Sequence, residues 1–381
     1  MAEFLDRAAC RHATGLLILQ PTAFCNIDCQ YCYLPHRDDK HVMSVDTVRA
    51  AVNFVFAEDL AGPDLTIVWH AGEPLVVRPD WYRCAFRAVA EETVSSPPYA
   101  IQTNGILIDD EWCDLFLEFG IRVCVSLDGP ADIHDARRKT RAGGGTHARV
   151  MRGIECLQRR EVPFQALCVV GANTLPRADD IMAFFRSNGI YEIGFNIEEI
   201  EGPVTRSTLQ QPEAEQQFRI FFARAVDSAL SKTPPVTIRE QHNLLSCMEH
   251  PAFGQMSFNS QAAPFGIVTV SSRGELFTFS PELAGLKNEQ YGNFVIGHLP
   301  GATLDQILHS SAFRAMWTNI EAGVRKCKDT CAYFNLCLGG APINKLCENG
   351  SFSSSETMFC RFSQKIVADV VLADLERRLR C

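Results

Sequence analysis

Short apolar runs and amphipathic stretches alternate through the first two hundred residues. The runs at Leu16–Leu19, Leu65–Trp69, Tyr99–Thr103, Val123–Leu127, Phe164–Val170 and Ile193–Ile197 predict buried strands. Between them, apolar positions recur at helical spacing near Val45–Phe56, Trp81–Glu92, Asp110–Glu118, Ala148–Arg159 and Ala178–Ser187. This alternation predicts a parallel sheet built from βαβ units, which right-handed crossovers let curl into an open or partial barrel. A dinucleotide-binding sheet is the competing architecture, but no G-x-G-x-x-G follows the first strand. Past residue 200 the pattern changes. Gln210–Leu230 reads as helix, Thr233-Pro234-Pro235 breaks it, and a further helix is expected near Ile238–Met248. Residues 266–281 read as a hairpin around the turn at Gly274, and an amphipathic helix is expected over Ser363–Arg380.

The predicted strands end in polar or glycine-bearing residues. These ends carry His70-Ala71-Gly72-Glu73-Pro74, then Gln102-Thr103-Asn104-Gly105, then Ser126-Leu127-Asp128-Gly129-Pro130 with His134-Asp135 and Arg137-Arg138. Gly171-Ala172-Asn173 follows the fifth strand, and Asn196, Glu198 and Glu199 the sixth. Polar groups gathered at strand ends are the layout of a barrel active site. Each taken singly has a plainer reading: Gly72-Glu73-Pro74 as a turn, Asn104-Gly105 as another, Ser126 and Arg138 as surface groups, and His70 as a packing residue. Taken together at one mouth, Gly72 lets backbone approach a ligand, Glu73 accepts from an ammonium group, and Arg138 pairs bidentately with a carboxylate.

Composition adds limits. The 381 residues suffice for two or three domains, and a hydrophobic fraction of 46% is ordinary for a globular chain. The net charge of −9 argues against general nucleic-acid affinity. No apolar run reaches the length of a membrane span, and Met1–Asp6 shows no secretory signal, so a cytoplasmic location is expected.

Sixteen cysteines change the picture more. Without an export signal, metal binding explains their clustering better than disulfides do. Cys25, Cys29 and Cys32 follow the first strand with spacing C-x₃-C-x₂-C. Three soft thiolates on one loop suit an iron–sulfur cluster with one iron left open, and they equally suit zinc. Cys327, Cys331, Cys337 and Cys360 form a second group, again open between zinc and a fully ligated cluster. Cys347 has no evident role, and singles such as Cys124, Cys168 and Cys381 read as core residues.

In this order the motifs resemble the radical S-adenosylmethionine enzymes, specifically peptide maturases carrying a C-terminal SPASM domain. Cys25-x₃-Cys29-x₂-Cys32, with Tyr31 before the last cysteine, is similar to the family's cluster motif. Ala71-Gly72-Glu73-Pro74 resembles its G-G-E-P motif, and Ser126–Pro130 with His134-Asp135 and Arg138 resembles the stretch that holds the cofactor's ribose and carboxylate. The resemblance implies an α/β fold: a partial (β/α)6 TIM-type barrel with a C-terminal iron–sulfur-binding SPASM-like domain. The corresponding boundaries are 1–232 for the barrel, 233–265 for a bridge and 266–381 for the SPASM-like domain. It implies S-adenosyl-L-methionine held by Ala71, Gly72, Glu73, Asn104, Ser126 and Arg138. It implies one open [4Fe-4S] cluster on Cys25, Cys29 and Cys32.

A full SPASM domain carries two auxiliary clusters. Ser280 and Ala341 stand where thiols of one would fall, so one auxiliary [4Fe-4S] cluster is expected, on Cys327, Cys331, Cys337 and Cys360. Phe279–Leu283, Cys331–Phe334, Asn344-Lys345 and Glu348–Gly350 resemble the GRRM-type, cyclophane-forming branch. The implied reaction is 5′-deoxyadenosyl radical hydrogen abstraction from a precursor peptide, followed by carbon–carbon crosslinking. It needs an external one-electron reductant and neither nucleic acid nor membrane. Thioether formation, epimerisation and sulfatase maturation are rivals on the same scaffold, and a zinc-bound interaction module is the non-enzymatic rival. Asp135, Glu198 and Glu199 are unranked candidates for acid or base. No leader-binding module is expected ahead of the first strand.

Overall fold

The computed structural model describes residues 7–94, 96–250 and 259–380. Met1–Asp6, Cys381 and part of the expected bridge lie outside the described residues. Six strands open the sheet in chain order: β1 (Thr14–Leu19), β2 (Ala61–Trp69), β3 (Tyr99–Thr103), β4 (Arg122–Ser126), β5 (Phe164–Val170) and β6 (Glu192–Ile197). Four shorter ones follow: β7 (Thr237–Ile238), β8 (Ile267–Val270), β9 (Glu275–Thr278) and β10 (Gly297–His298). The ten strands form one sheet in the order β10-β9-β8-β1-β2-β3-β4-β5-β6-β7. Every pairing from β8 through β1 to β7 is parallel, and the two at the β8–β9–β10 end are antiparallel. This is the α/β architecture of a partial TIM-type barrel. The hairpin of the C-terminal region is not separate from it: Leu16 pairs with Ile267 and Leu19 with Val270.

Each of β1 to β6 is followed by a helix: Val45–Ala57, Pro79–Glu92, Asp110–Glu118, His147–Arg159, Ala178–Ser187 and Ala214–Ser231. Local chemistry starts them. Ser44 Oγ accepts from Thr47 N, and the Asp109 carboxylate accepts from Trp112 N, meeting amides that a helix start leaves unpaired. In His147–Arg159 the apolar positions Val150, Ile154 and Leu157 fall on one stripe and are fully buried. The helix expected from Gln210 begins at Ala214, because Gln210 closes a short capped turn over Thr208–Gln210 and Pro212 follows it.

Under the end of β2 lies an aromatic cluster. The fully buried Trp69 meets Trp81, Tyr82 and Phe86 edge-on, with ring centroids 5.5, 5.2 and 5.8 Å away. Tyr82 Oη then donates to Pro74 O at 3.0 Å, which fixes the turn after β2 to this cluster.

Candidate functional site

The strand ends and the loop after β1 enclose a cavity of about 410 Å³. Val68, Gln102, Ser126, Val169 and Asn196 bring β2 through β6 to its wall, and Cys25, Cys29 and Cys32 line it together. Ala71, Gly72, Glu73, Asn104, Ser126 and Arg138 all line the same cavity.

The loop with the three thiols is held by both neighbouring segments. Gly72 sits at φ +70°, and a Cβ there would lie 2.3 Å from Thr22 O and 2.9 Å from Phe24 O. Only glycine allows this approach, and Glu73 N then donates to Phe24 O at 2.8 Å. On the other side, Ile27–Cys29 forms a two-stranded antiparallel ribbon with Arg138–Thr140, with Cys29 opposite Arg138. Tyr31 Oη donates to Asp128 Oδ2 at 2.6 Å, and the Tyr31 ring lies 4.2 Å from the Arg137 guanidinium carbon. Asp128 also pairs with Arg138 Nε at 3.1 Å. Burial works against the Asp128 charge, but Arg138, His134 and Arg137 together hold its carboxyl below the usual range.

Glu73 is fixed as a carboxylate acceptor. It takes hydrogen bonds from Thr103 Oγ1 at 2.7 Å, Asn104 N at 2.7 Å and Leu75 N at 3.0 Å. Burial nevertheless pushes its carboxyl up to about 7, against the pull of those donors. Ser126 Oγ accepts from Gln102 Nε2 at 3.0 Å.

The thiols fit an iron–sulfur cluster. Burial pushes Cys25 up to about 12, with Glu73 adding to it, and pushes Cys29 up to about 11 against the Arg138 charge. A metal centre is what would hold them as thiolates. Polar donors already face the sulfurs: Asn104 Nδ2 is 3.8 Å from Cys25 Sγ, and Arg138 Nη1 is 3.8 Å from Cys29 Sγ. Hydrogen bonds to the sulfurs are a feature of cluster sites. Among the described residues, no group of three or more His, Cys, Asp or Glu is gathered tightly enough to hold one metal ion.

The same cavity also has an acidic part. Glu198, Glu199, Glu201 and Glu282 line it. Asn344 Nδ2 donates to Glu199 Oε2 at 2.7 Å and to Glu201 Oε1 at 3.0 Å. Burial pushes the Glu199 carboxyl up to about 7; burial and then Glu199 push Glu201 up strongly. Ser280, which stands in place of an expected thiol, hydrogen-bonds Glu282. Tyr33 Oη pairs with His70 Nε2 at 2.9 Å, and burial lowers that histidine to about 4. Of the three candidates for acid or base, Asp135 is placed elsewhere: it accepts from Thr146 N at 2.7 Å and His147 N at 2.8 Å, so it starts a helix. Glu198 sits 3.5 Å from Arg137 Nη2. Glu201, Glu282, Tyr33 and Asn344 were not singled out from sequence. Glu282 and Asn344 lie within stretches that carried the resemblance, which was the one signal available.

Cys327, Cys331, Cys337 and Cys360 line a second, smaller cavity of about 70 Å³, with Ala341 beside them. Cys347 is not among its lining residues; it lies half-buried, and burial raises its thiol. Cys168 is fully buried as expected, whereas Cys124 is half-buried on β4. None of the fifteen described cysteines is in a disulfide. Among the described residues no helix is long and apolar enough to cross a membrane.

The sequence pattern of the Radical SAM superfamily matches residues 19–185. An uncharacterised protein of Synechocystis sp. is 38% identical over 374 residues, covering 96% of this chain and 93% of that one. The serine-type anaerobic sulfatase-maturating enzyme of Bacteroides thetaiotaomicron is 32% identical over 183 residues, covering 45% of this chain and 43% of the enzyme. In three dimensions, anSMEcpe with bound AdoMet superposes with a TM-score of 0.76 at 21% identity, covering 95% of this chain and 98% of that one. Streptococcus suis SuiB bound to precursor peptide SuiA gives 0.64 at 14% identity, covering 91% of this chain and 76% of SuiB. At these identities the two likenesses establish the fold.

Proposed function

This chain belongs to the radical SAM superfamily, and we propose that it modifies a ribosomally made precursor peptide by forming a carbon–carbon, cyclophane-type crosslink. The observation that carries the reading is the shared cavity: three thiols, Glu73 and Arg138 line the same space of about 410 Å³ as Glu198, Glu199, Glu201 and Glu282. Cys25, Cys29 and Cys32 would each hold one iron of the open cluster. Glu73 would accept from the methionine ammonium, and Arg138 would pair with the methionine carboxylate. Ala71 and Gly72 give backbone access, and Asn104 and Ser126 supply polar contacts. When bound, the cluster and S-adenosyl-L-methionine supply a 5′-deoxyadenosyl radical that abstracts hydrogen from an unactivated carbon.

Crosslinking removes one hydrogen atom, one proton and one further electron from the peptide. Glu199, with its carboxyl near 7, is suited to accept the proton at neutral pH. An auxiliary cluster on Cys327, Cys331, Cys337 and Cys360 would take the electron. By function we divide the chain into the barrel of 1–232, the bridge of 233–265 and the auxiliary-cluster region of 266–381, although β7 and β8 extend the barrel's own sheet. An external one-electron reductant starts each turnover.

A second reading is oxidation of a serine or cysteine in a protein substrate to an aldehyde. The names of the sulfatase-maturating relatives favour it, and Ser280 at an expected ligand position weighs against it. Anaerobic coexpression with a precursor, followed by tandem mass spectrometry, separates the two. Loss of two hydrogens, with fragmentation blocked between two residues, supports crosslinking. A product that fragments freely and reacts with hydroxylamine identifies the aldehyde, and an unchanged mass sinks both.

A further inference from the structure

The second thiol cavity contains a charge without a partner. Lys345, on the helix Pro342–Asn349, is 3% exposed and lines the cavity with Cys327, Cys331, Cys337 and Cys360. Among the described residues its ammonium has no hydrogen bond and no carboxylate partner. The other lysine at the cavity, Lys365, is paired with Glu356, so that charge is already answered. The space for Lys345 is built in. Gly323, inside the helix Ser311–Thr330, faces it: a Cβ there would lie 3.2 Å from Lys345 Nζ and 2.1 Å from Phe352 O. Lys345 and the four thiols thus line one small cavity, so an anionic cluster held by those thiols would face this ammonium.

We propose that Lys345 is the counter-cation of the auxiliary iron–sulfur cluster and raises that cluster's reduction potential. The inference rests on the reading that Cys327, Cys331, Cys337 and Cys360 hold such a cluster. Four thiolates on an oxidised [4Fe-4S] core leave a net dianion, and one-electron reduction makes it a trianion. A fixed cation in a low-dielectric site favours the more negative state, so it draws the potential upward. Lys345 acts through the cluster and touches no substrate; it is a positioning charge. Its effect matches the task of accepting an electron from an oxidised peptide product.

The test uses the full chain carrying Cys25→Ala, Cys29→Ala and Cys32→Ala, reconstituted anaerobically, so that iron reports the auxiliary site alone. Redox titration followed by electron paramagnetic resonance gives the midpoint. Lys345→Met and Lys345→Gln are expected to shift the midpoint to lower potential, and Lys345→Arg to keep it near the parent. Loss of iron from both neutral variants with unchanged circular dichroism, while Lys345→Arg retains it, also supports the proposal. An unchanged midpoint in a loaded neutral variant overturns it, as does a Lys345→Arg midpoint that falls as far as that of Lys345→Met. If the parent itself binds no iron, the auxiliary-cluster reading fails first, and that result is distinct from any Lys345 outcome.

Discussion

Replacing Gly72 with Ala should loosen the thiol loop from the strand end that supports it. Two costs are separable. The first is conformational: a residue with a Cβ at φ +70° gives up about 1–2 kcal/mol in the left-handed region. The second is contact. The new Cβ would meet Thr22 O at 2.3 Å and Phe24 O at 2.9 Å, and these are backbone atoms that cannot swing aside. The Thr22–Phe24 segment must retreat, and the 2.8 Å bond from Glu73 N to Phe24 O lengthens or breaks, at about 0.5–1.5 kcal/mol. The sum is about 1.5–3.5 kcal/mol, and the displaced segment leads directly into Cys25. Gly120 supplies the control. It has φ +59° but nothing within 4 Å of a Cβ, so Gly120→Ala should cost the conformational part alone. Urea denaturation of both variants, and iron per chain after anaerobic reconstitution, are the readouts. Gly72→Ala should lose more stability than Gly120→Ala and load less iron. Equal losses with full iron in both would refute the claim that this close approach holds the cluster loop.

Ala71 occupies φ +71° with a side chain, so Ala71→Gly should raise the urea midpoint, by up to about 1 kcal/mol after the added flexibility of the unfolded chain. Asp128→Asn should leave the buried Arg138 without its charge partner, costing about 3–5 kcal/mol by denaturant unfolding, with a matching fall in iron loading. Glu73 gives a pH signature. Its folded carboxyl lies near 7 against an ordinary 4.5, so the folded chain holds a proton the unfolded chain releases. Its contribution to stability is therefore greatest below about pH 4.5 and falls until about pH 7, by about 3 kcal/mol in total at 1.4 kcal/mol per unit. Glu73→Gln should flatten that part of the profile in urea melts between pH 5 and 8; an unchanged slope would refute the shift.

The sequence was most legible where function and local pattern coincide. Strand ends can be located from apolar runs, and glycine, glutamate and cysteine at those ends carry their own chemical logic, so Gly72, Glu73 and the three thiols could be named before the fold was known. β2 begins at Ala61, earlier than the apolar run at Leu65, because Ala61 pairs with Thr14 through backbone groups that leave no side-chain pattern. The acidic wall was hidden for a related reason. Glu201, Glu282 and Asn344 are far apart in the chain, and nothing local marks three polar residues as neighbours. Asp135 shows the opposite error. A carboxylate in a functional motif invites a chemical role, yet its position ahead of His147 makes it a cap for backbone amides.

The pairing of β1 with β8 also bears on how the chain matures. β1 emerges first from the ribosome, but its second edge stays bare until residues 267–270 are made. Thr14 Oγ1 likewise waits for Phe265 O, its partner at 2.8 Å from 251 residues further on. Such long-range closures come late, because the loop between the partners must be ordered before the contact repays it. The cysteine loop hangs from the end of this unfinished strand. It can reach its final shape only once nearly three-quarters of the polypeptide has been synthesised, which places stable iron loading no earlier than the last part of translation.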